Sequence, residues 1–200
     1  MKKSAGSWTY RFGYCLLAVW GLLMLGLPAA SWAGMRWSAK AIDPALIETL
    51  QRDDKALQEL LLAEPPSLTG KSDDSRVELD KAWHGIHYLL TGSALPDDTL
   101  ASRVIMGGED IGPVLGYGPA QLVQPAEVKA IAQLLEKTPP EMLRKRFDPK
   151  EMTREQVYPG VIWEREGEEA LQFLLSYYTQ LVSFYKRAAE RGQAVIFLVS

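Results

Sequence analysis

Apolar and polar residues alternate from Met35 to Ile42, with Met35, Trp37, Ala39 and Ala41 on one side before Asp43 ends the run. A period of two turns successive side chains to opposite faces, so this stretch predicts a strand with one face in the core. Two short helices are expected next, over residues 44–52 and 54–63, closed by "EPP". Ser67 to Ser75 is a polar loop rich in Gly, Ser and Asp. "RVELD" then reads as a brief strand, and Asp80 as the cap of a helix carrying "WHGIHYLL". "TGSALPDD" is a loop, "TLASRVIMGGEDIG" a helical turn running into a glycine-rich bend, and "GYGPAQLV" a strand.

One local pattern recurs at "DPALIE", "QPAEVK", "TPPEML" and "DPKEMT". Proline fits the first position of a helix, whose N–H has no intrahelical partner, and an oxygen-bearing side chain before it satisfies another free amide. Four helix starts are therefore expected, with Gln124 the weakest cap. From Glu168 to Arg191 the apolar positions Leu171, Leu174, Leu175, Tyr178, Leu181, Val182, Tyr185 and Ala189 recur at three-and-four spacing, which predicts one long helix ended by Gly192. "AVIFLV" is a short continuous apolar run, the signature of a strand buried on both faces. The expected architecture is a single compact α+β domain: a mixed sheet holding N- and C-terminal strands, several short helices and one long C-terminal helix.

Residues 1–33 stand apart, because they contain no acid. Lys2, Lys3 and Arg11 precede the apolar run Cys15–Leu27, Pro28 breaks it, and "SWA" ends in small residues, which is the anatomy of a secretory signal. The domain then occupies residues 34–200 and is expected in the periplasm or secreted. An uncleaved anchor would make this segment the chain's membrane contact, and translation from Met35 would leave the protein in the cytoplasm. Without the three basic residues the chain has 22 − 3 = 19 basic against 25 acidic side chains, a formal charge of −6 that argues against nucleic acid or anionic lipid as a partner. "RKR" at Arg144–Arg146 reads as a solvated helix end. The sole cysteine, Cys15, lies in the removable segment, leaving the domain no thiol chemistry and no disulfide.

The two histidines, His84 and His87, are three positions apart beside Trp83. A zinc enzyme generally needs three protein ligands, and there is neither a third histidine nor an "HExxH", so no metal and no cofactor is expected. On a helix Trp83, His87 and Leu90 share a face. His87 is therefore the candidate general base, and His84, about 100° around, is expected at the surface. Tyr117 in "GYGP" and Tyr158 and Trp163 in "YPGVIW" serve either as pocket walls or as core.

"DKAWHGIHYLLTG", "SRVIMGGEDIG", "GYGPAQLVQPAEVKAIAQLL", "FDPKEM…VYPGVIW" and "LLSYYTQLVSFYKRAAERGQAVIFLV" follow one another in an order that resembles the YfbM-like family of bacterial proteins, from about Met35 to the C-terminus. In the pattern this resemblance implies, Trp83, His87, Leu90, Thr91 and Gly92 match, Ile86 replaces a leucine, and His84 falls on a variable position. Tyr117, Gly118, Pro119, Tyr158, Pro159 and Trp163 match the two later elements, and Thr91 joins the candidate binding residues on this ground. The resemblance implies a compact mixed α/β domain and no established activity. Three functions are carried forward. The first is an exported binding protein with a protein partner in the envelope, of the immunity type that blocks a toxin. The second is a small hydrolase with His87 as general base between Trp83, Tyr117 and Tyr158. The third is a structural envelope protein.

Overall fold

Five strands, β1 (Trp37–Ile42), β2 (Arg76–Asp80), β3 (Glu109–Val114), β4 (Pro119–Val123) and β5 (Ala194–Val199), form one sheet in the order β2-β1-β5-β4-β3. The computed structural model describes residues 34–62 and 73–200. The expected export segment, residues 1–33, lies outside them, as does most of the 67–75 loop.

The α+β class holds, but the sheet is antiparallel at every neighbouring pair, where a mixed sheet was expected. The register gives the reason. In each pair the later strand starts beside the end of the earlier one: Lys40 faces Arg76, Val114 faces Pro119, Val123 faces Val195 and Ile42 faces Ala194. The connections β1–β2, β3–β4 and β4–β5 thus leave and re-enter the sheet at the same end, while the chain from β2 to β3 crosses to the opposite edge, so the two strands that run in the same direction there are not neighbours. β3 is a second correction, since a glycine-rich bend was expected there. Gly108 lets the chain run close along β4, where a Cβ would sit 2.9 Å from the Leu122 carbonyl oxygen. Gly112 (φ +67°) and Pro113 are tolerated because β3 is an edge strand.

Eight helices are described: α1 (Ile47–Arg52), α2 (Asp54–Leu62), α3 (Trp83–Thr91), α4 (Pro125–Glu136), α5 (Pro140–Arg146), α6 (Pro149–Arg154), α7 (Ile162–Glu166) and α8 (Glu168–Glu190). Three of the four proline signals open a helical segment where expected. Asp43 Oδ1 accepts from the Ala45 amide at 2.9 Å, Asp148 Oδ1 accepts from Lys150 and Glu151 at 3.1 Å each, and Gln124 makes no side-chain cap. The fourth starts one residue late, at Pro140, because the Thr138 hydroxyl donates back to Leu134 O (2.8 Å) and closes α4 instead. The short α7 had no signal of its own.

The helices cover both faces of the sheet. Trp37, Ala39 and Ala41 of β1, Val77 and Leu79 of β2, Val123 of β4 and Val195 and Phe197 of β5 join the main core with α3, α4 and α8. Ile42, Ile111, Ala120, Leu122, Ala194 and Ile196 pack instead on Leu50 of α1 and Leu57 and Leu61 of α2. β5 sits at the centre of the sheet and contributes to both cores, which is why its sequence is apolar without alternation.

Candidate functional site

The helix that carries the histidines is buried almost all round. Trp83, Gly85, Ile86, His87, Tyr88, Leu89 and Leu90 are seven of its nine residues, and such a helix belongs inside a core rather than along a cleft. Gly85 is what lets α8 and α7 approach it: a Cβ there would lie 2.7 Å from Leu174 Cδ2 and 2.8 Å from Trp163 Cη2. Asp80, expected as the cap, stands two residues before the N-cap Ala82 in left-handed backbone (φ +44°), with Oδ1 3.8 Å from Arg36 Nε. At the other end Gly92 takes φ +80° and its amide donates to Tyr88 O at 2.7 Å.

Two further carbonyls at that end, Leu89 O and Leu90 O, accept from the Arg146 guanidinium at 3.0 and 2.8 Å. The basic cluster is therefore not merely a solvated helix end: Arg146 caps α3, and Arg144 pairs with Glu168 at 2.6 Å. The Arg146→Met change keeps the stem and removes the donors. It is expected to cost about 1–2 kcal/mol, read as a lower urea midpoint at constant slope.

The imidazoles grip backbone on both sides of the helix. His84 Nδ1 accepts from the Tyr158 amide at 2.9 Å, so its proton is on Nε2, which donates to Ala94 O at 2.8 Å. His87 Nε2 lies 3.3 Å from Leu95 O, and a carbonyl only accepts, so this ring also carries its proton on Nε2. Two histidines three residues apart thus hold two consecutive carbonyls of one loop. The surface position expected for His84 is corrected: the ring is largely buried and both nitrogens are used. Burial lowers the pKa of both rings, with the carbonyl contacts partly opposing it; for His87 the neighbouring His84 adds to the lowering and Asp97 opposes it. Each ring is thereby held toward its neutral form.

His87 has no exposed surface, and its Nδ1 meets no hydrogen-bond partner among the described residues. A general base needs substrate within hydrogen-bond reach, and in this conformation the ring offers no atom to solvent. The aromatic-walled cleft expected around it is replaced by packing. Trp83 stacks on His84 (centroids 4.9 Å apart, planes at 9°) and lies 6.0 Å from Tyr158. The Nε1 of Trp83 is also buried without a hydrogen-bond partner among the described residues, and the buried hydroxyl of Tyr158 has only a poorly aligned polar neighbour, the Met35 backbone. Burial raises the Tyr158 pKa, the Met35 backbone opposes this, and the nearby Asp80 and Tyr117 add to it.

The remaining candidates divide. Thr91 secures the helix end: its hydroxyl lies 2.9 Å from His87 O and accepts from the Ser93 amide at 3.1 Å. Trp163 is wholly buried and donates from Nε1 to Val157 O at 2.7 Å, so it is core rather than a pocket wall. Tyr117 is exposed, held by its amide to Val199 O at 2.9 Å. The structure therefore brings Trp83 and Tyr158 together and joins His87 to them through His84, which was expected at the surface; Tyr117 is not packed among them. A separate hollow of about 690 Å³ lies between α4 and α8, lined by Leu135, Pro139, Tyr178, Val182 and Ala189, among others, and by none of these candidates.

The contacts pin two loops whose tips carry exposed apolar side chains. Leu95 (73% exposed) follows Ala94, and Val161 (68%) follows Tyr158 by three residues; Tyr117 (56%) is close enough to act weakly on the Tyr158 hydroxyl. Leu95 and Val161 escaped the sequence reading. The signal available was an aliphatic residue next to Pro96 or Gly160, where a turn leaves it no core to enter.

Residues 34–198 match the family described as a domain of unknown function, DUF1877. Protein YfbM of Escherichia coli (strain K12) is 29% identical over 130 residues, which is 62% of this chain and 76% of that protein. The crystal structure of YfbM from Escherichia coli, titled as a protein of unknown function, superposes with a TM-score of 0.63 at 24% identity, covering 83% of this chain and 99% of the other, and shows the same fold. With the family matched over nearly the whole described domain, the chain belongs to the YfbM-like family of unknown function, DUF1877.

Proposed function

We propose that the protein is a binding protein whose contact face is formed by the 93–98 loop, the β3–β4 turn and the 157–161 loop, and that its partner is a protein in the bacterial envelope. The observation that carries this reading is the exposure of Leu95 and Val161 on segments tied to one buried aromatic cluster, with exposed Tyr117 on the turn held to Val199 O. Exposed apolar side chains on fixed backbone lose little freedom on association, the usual requirement of a contact surface. The exposed Asp97 and Asp98 beside Leu95, together with the acidic balance of the domain, favour a partner with basic groups around an apolar centre. A toxin held by an immunity-type protein has this chemistry, and export through residues 1–33 would bring the domain to the envelope. The hydrolase alternative would need His87 to become accessible.

Affinity capture from envelope extracts of the native host tests this. The wild-type chain is expected to retain a partner at 1:1 stoichiometry, and the Leu95→Asp/Val161→Asp variant to lose at least tenfold of it at unchanged thermal stability. Equal capture by the two chains, or none by the wild type, overturns the assignment of this face.

A further inference from the structure

We propose that the imidazole of His84 is an acid-released latch: a proton added at Nδ1 expels the Tyr158 amide and frees the 157–161 loop from α3. The inference does not depend on the binding reading. Nδ1 is an acceptor in the closed state, with the Tyr158 N–H aimed at it from 2.9 Å, while Nε2 already carries its proton to Ala94 O. Protonation therefore sets one N–H against another in a largely buried place, and the Tyr158 amide is left without an acceptor. The proton comes from solvent and no other bond is made or broken.

The groups around the latch do not relieve this. His87, on the same helix, faces His84 with ring centroids 6.3 Å apart, and a second positive charge there adds repulsion. From the 93–98 loop, the carboxylate that acts on the pair is Asp97, which acts on His87; its oxygen is already engaged by the Thr99 amide and hydroxyl. From the 157–161 loop the titratable group is the Tyr158 hydroxyl, neutral in this range; Asp80, at the end of β2, acts on that hydroxyl and lies 3.8 Å from Arg36 Nε. Arg146 from α5 faces the Leu89 and Leu90 carbonyls, and Asp148, Glu151, Arg154 and Glu155 from the α6 region act on Tyr88. No carboxylate among those named accepts a hydrogen bond from a protonated His84 Nδ1.

The sign follows from linkage. Burial sets the closed-state pKa of His84 below the ordinary value, about 6.5, which an exposed ring regains. The latch is fully closed above that value and weakens as pH falls below it, until the closed state itself takes up the proton.

Amide exchange and imidazole nitrogen shifts of the full 15N-labelled chain, followed by NMR from pH 7.5 to 4.5, decide the matter. The expected result is that His84 holds its proton on Nε2 at pH 7.5. The protection factor of the Tyr158 amide then falls about tenfold per pH unit below the exposed-ring pKa, while Ile196 in the central strand keeps its protection. The His84→Gln variant offers one acceptor and one donor with no titration, and should hold Tyr158 protection level across the range. The inference is overturned if Tyr158 keeps its protection while the fold persists, if it loses protection only together with Ile196, or if His84 stays neutral as Tyr158 opens. These wild-type readings stand even where the glutamine variant fails to fold.

Discussion

A chain ending at Gln193 is expected to remain unfolded. It lacks β5, which pairs with β1 along six residues and with β4 along three, and which supplies Val195 and Phe197 to one core and Ala194 and Ile196 to the other. Burial of Val195, Ile196, Phe197 and Leu198 contributes about 1.5–3 kcal/mol each. Together these terms rival the ~5–15 kcal/mol by which a whole domain is stable. What is left is two separate two-stranded ribbons, β2–β1 and β4–β3, each short of independent stability. Circular dichroism of the truncated chain should show no cooperative thermal transition, whereas the full chain shows one. A sigmoidal transition in the truncated chain would mean that the helical layer folds without the sheet.

Trp163→Ala is expected to have the next largest effect, a loss of about 3–5 kcal/mol in urea unfolding. The ring is wholly buried, fills the space against Gly85 and donates from Nε1 to Val157 O, so alanine leaves a cavity and removes one of the two donors to that carbonyl, which keeps the Gly160 amide at 2.8 Å. Trp163→Phe separates the two contributions, because it keeps most of the apolar fill and loses only one donor to a carbonyl that retains the Gly160 amide, at about 0.5–1.5 kcal/mol. Both variants should keep the wild-type slope with denaturant. A cost under 1 kcal/mol for alanine would place Trp163 outside the core.

Much of the fold could be read from the sequence, because burial on one or two faces leaves a period. The alternation from Met35 to Ile42 became β1, the continuous run at 194–199 became the central strand, and the stripe from Leu171 to Ala189 became α8. β3 could not be read this way. With Glu109, Asp110, Gly112 and Pro113 it has one buried residue, Ile111, and an edge strand of that kind is held by ladder bonds rather than by a hydrophobic face.

The site divides along the same line. Trp83 and Tyr158 lie 6.0 Å apart in the core, because their apolar bodies are what packing selects. The role of His84 was hidden. Its partners are backbone groups of residues ten and 74 positions away, and a main-chain carbonyl or amide leaves no mark in the sequence. Arg146 was hidden for the same reason, since it caps carbonyls 56 and 57 positions away.

The placement of β5 also bears on when folding can begin. β1 is among the first elements made and its principal neighbour among the last, with Trp37 facing Val199 across the sheet. A nascent chain on the ribosome cannot close its sheet until Ala194–Val199 has emerged, so the edges of β1 and β4 that β5 fills stay open until then. Chaperones have their longest opportunity on such a chain, and so does any translocation machinery that needs it still extended.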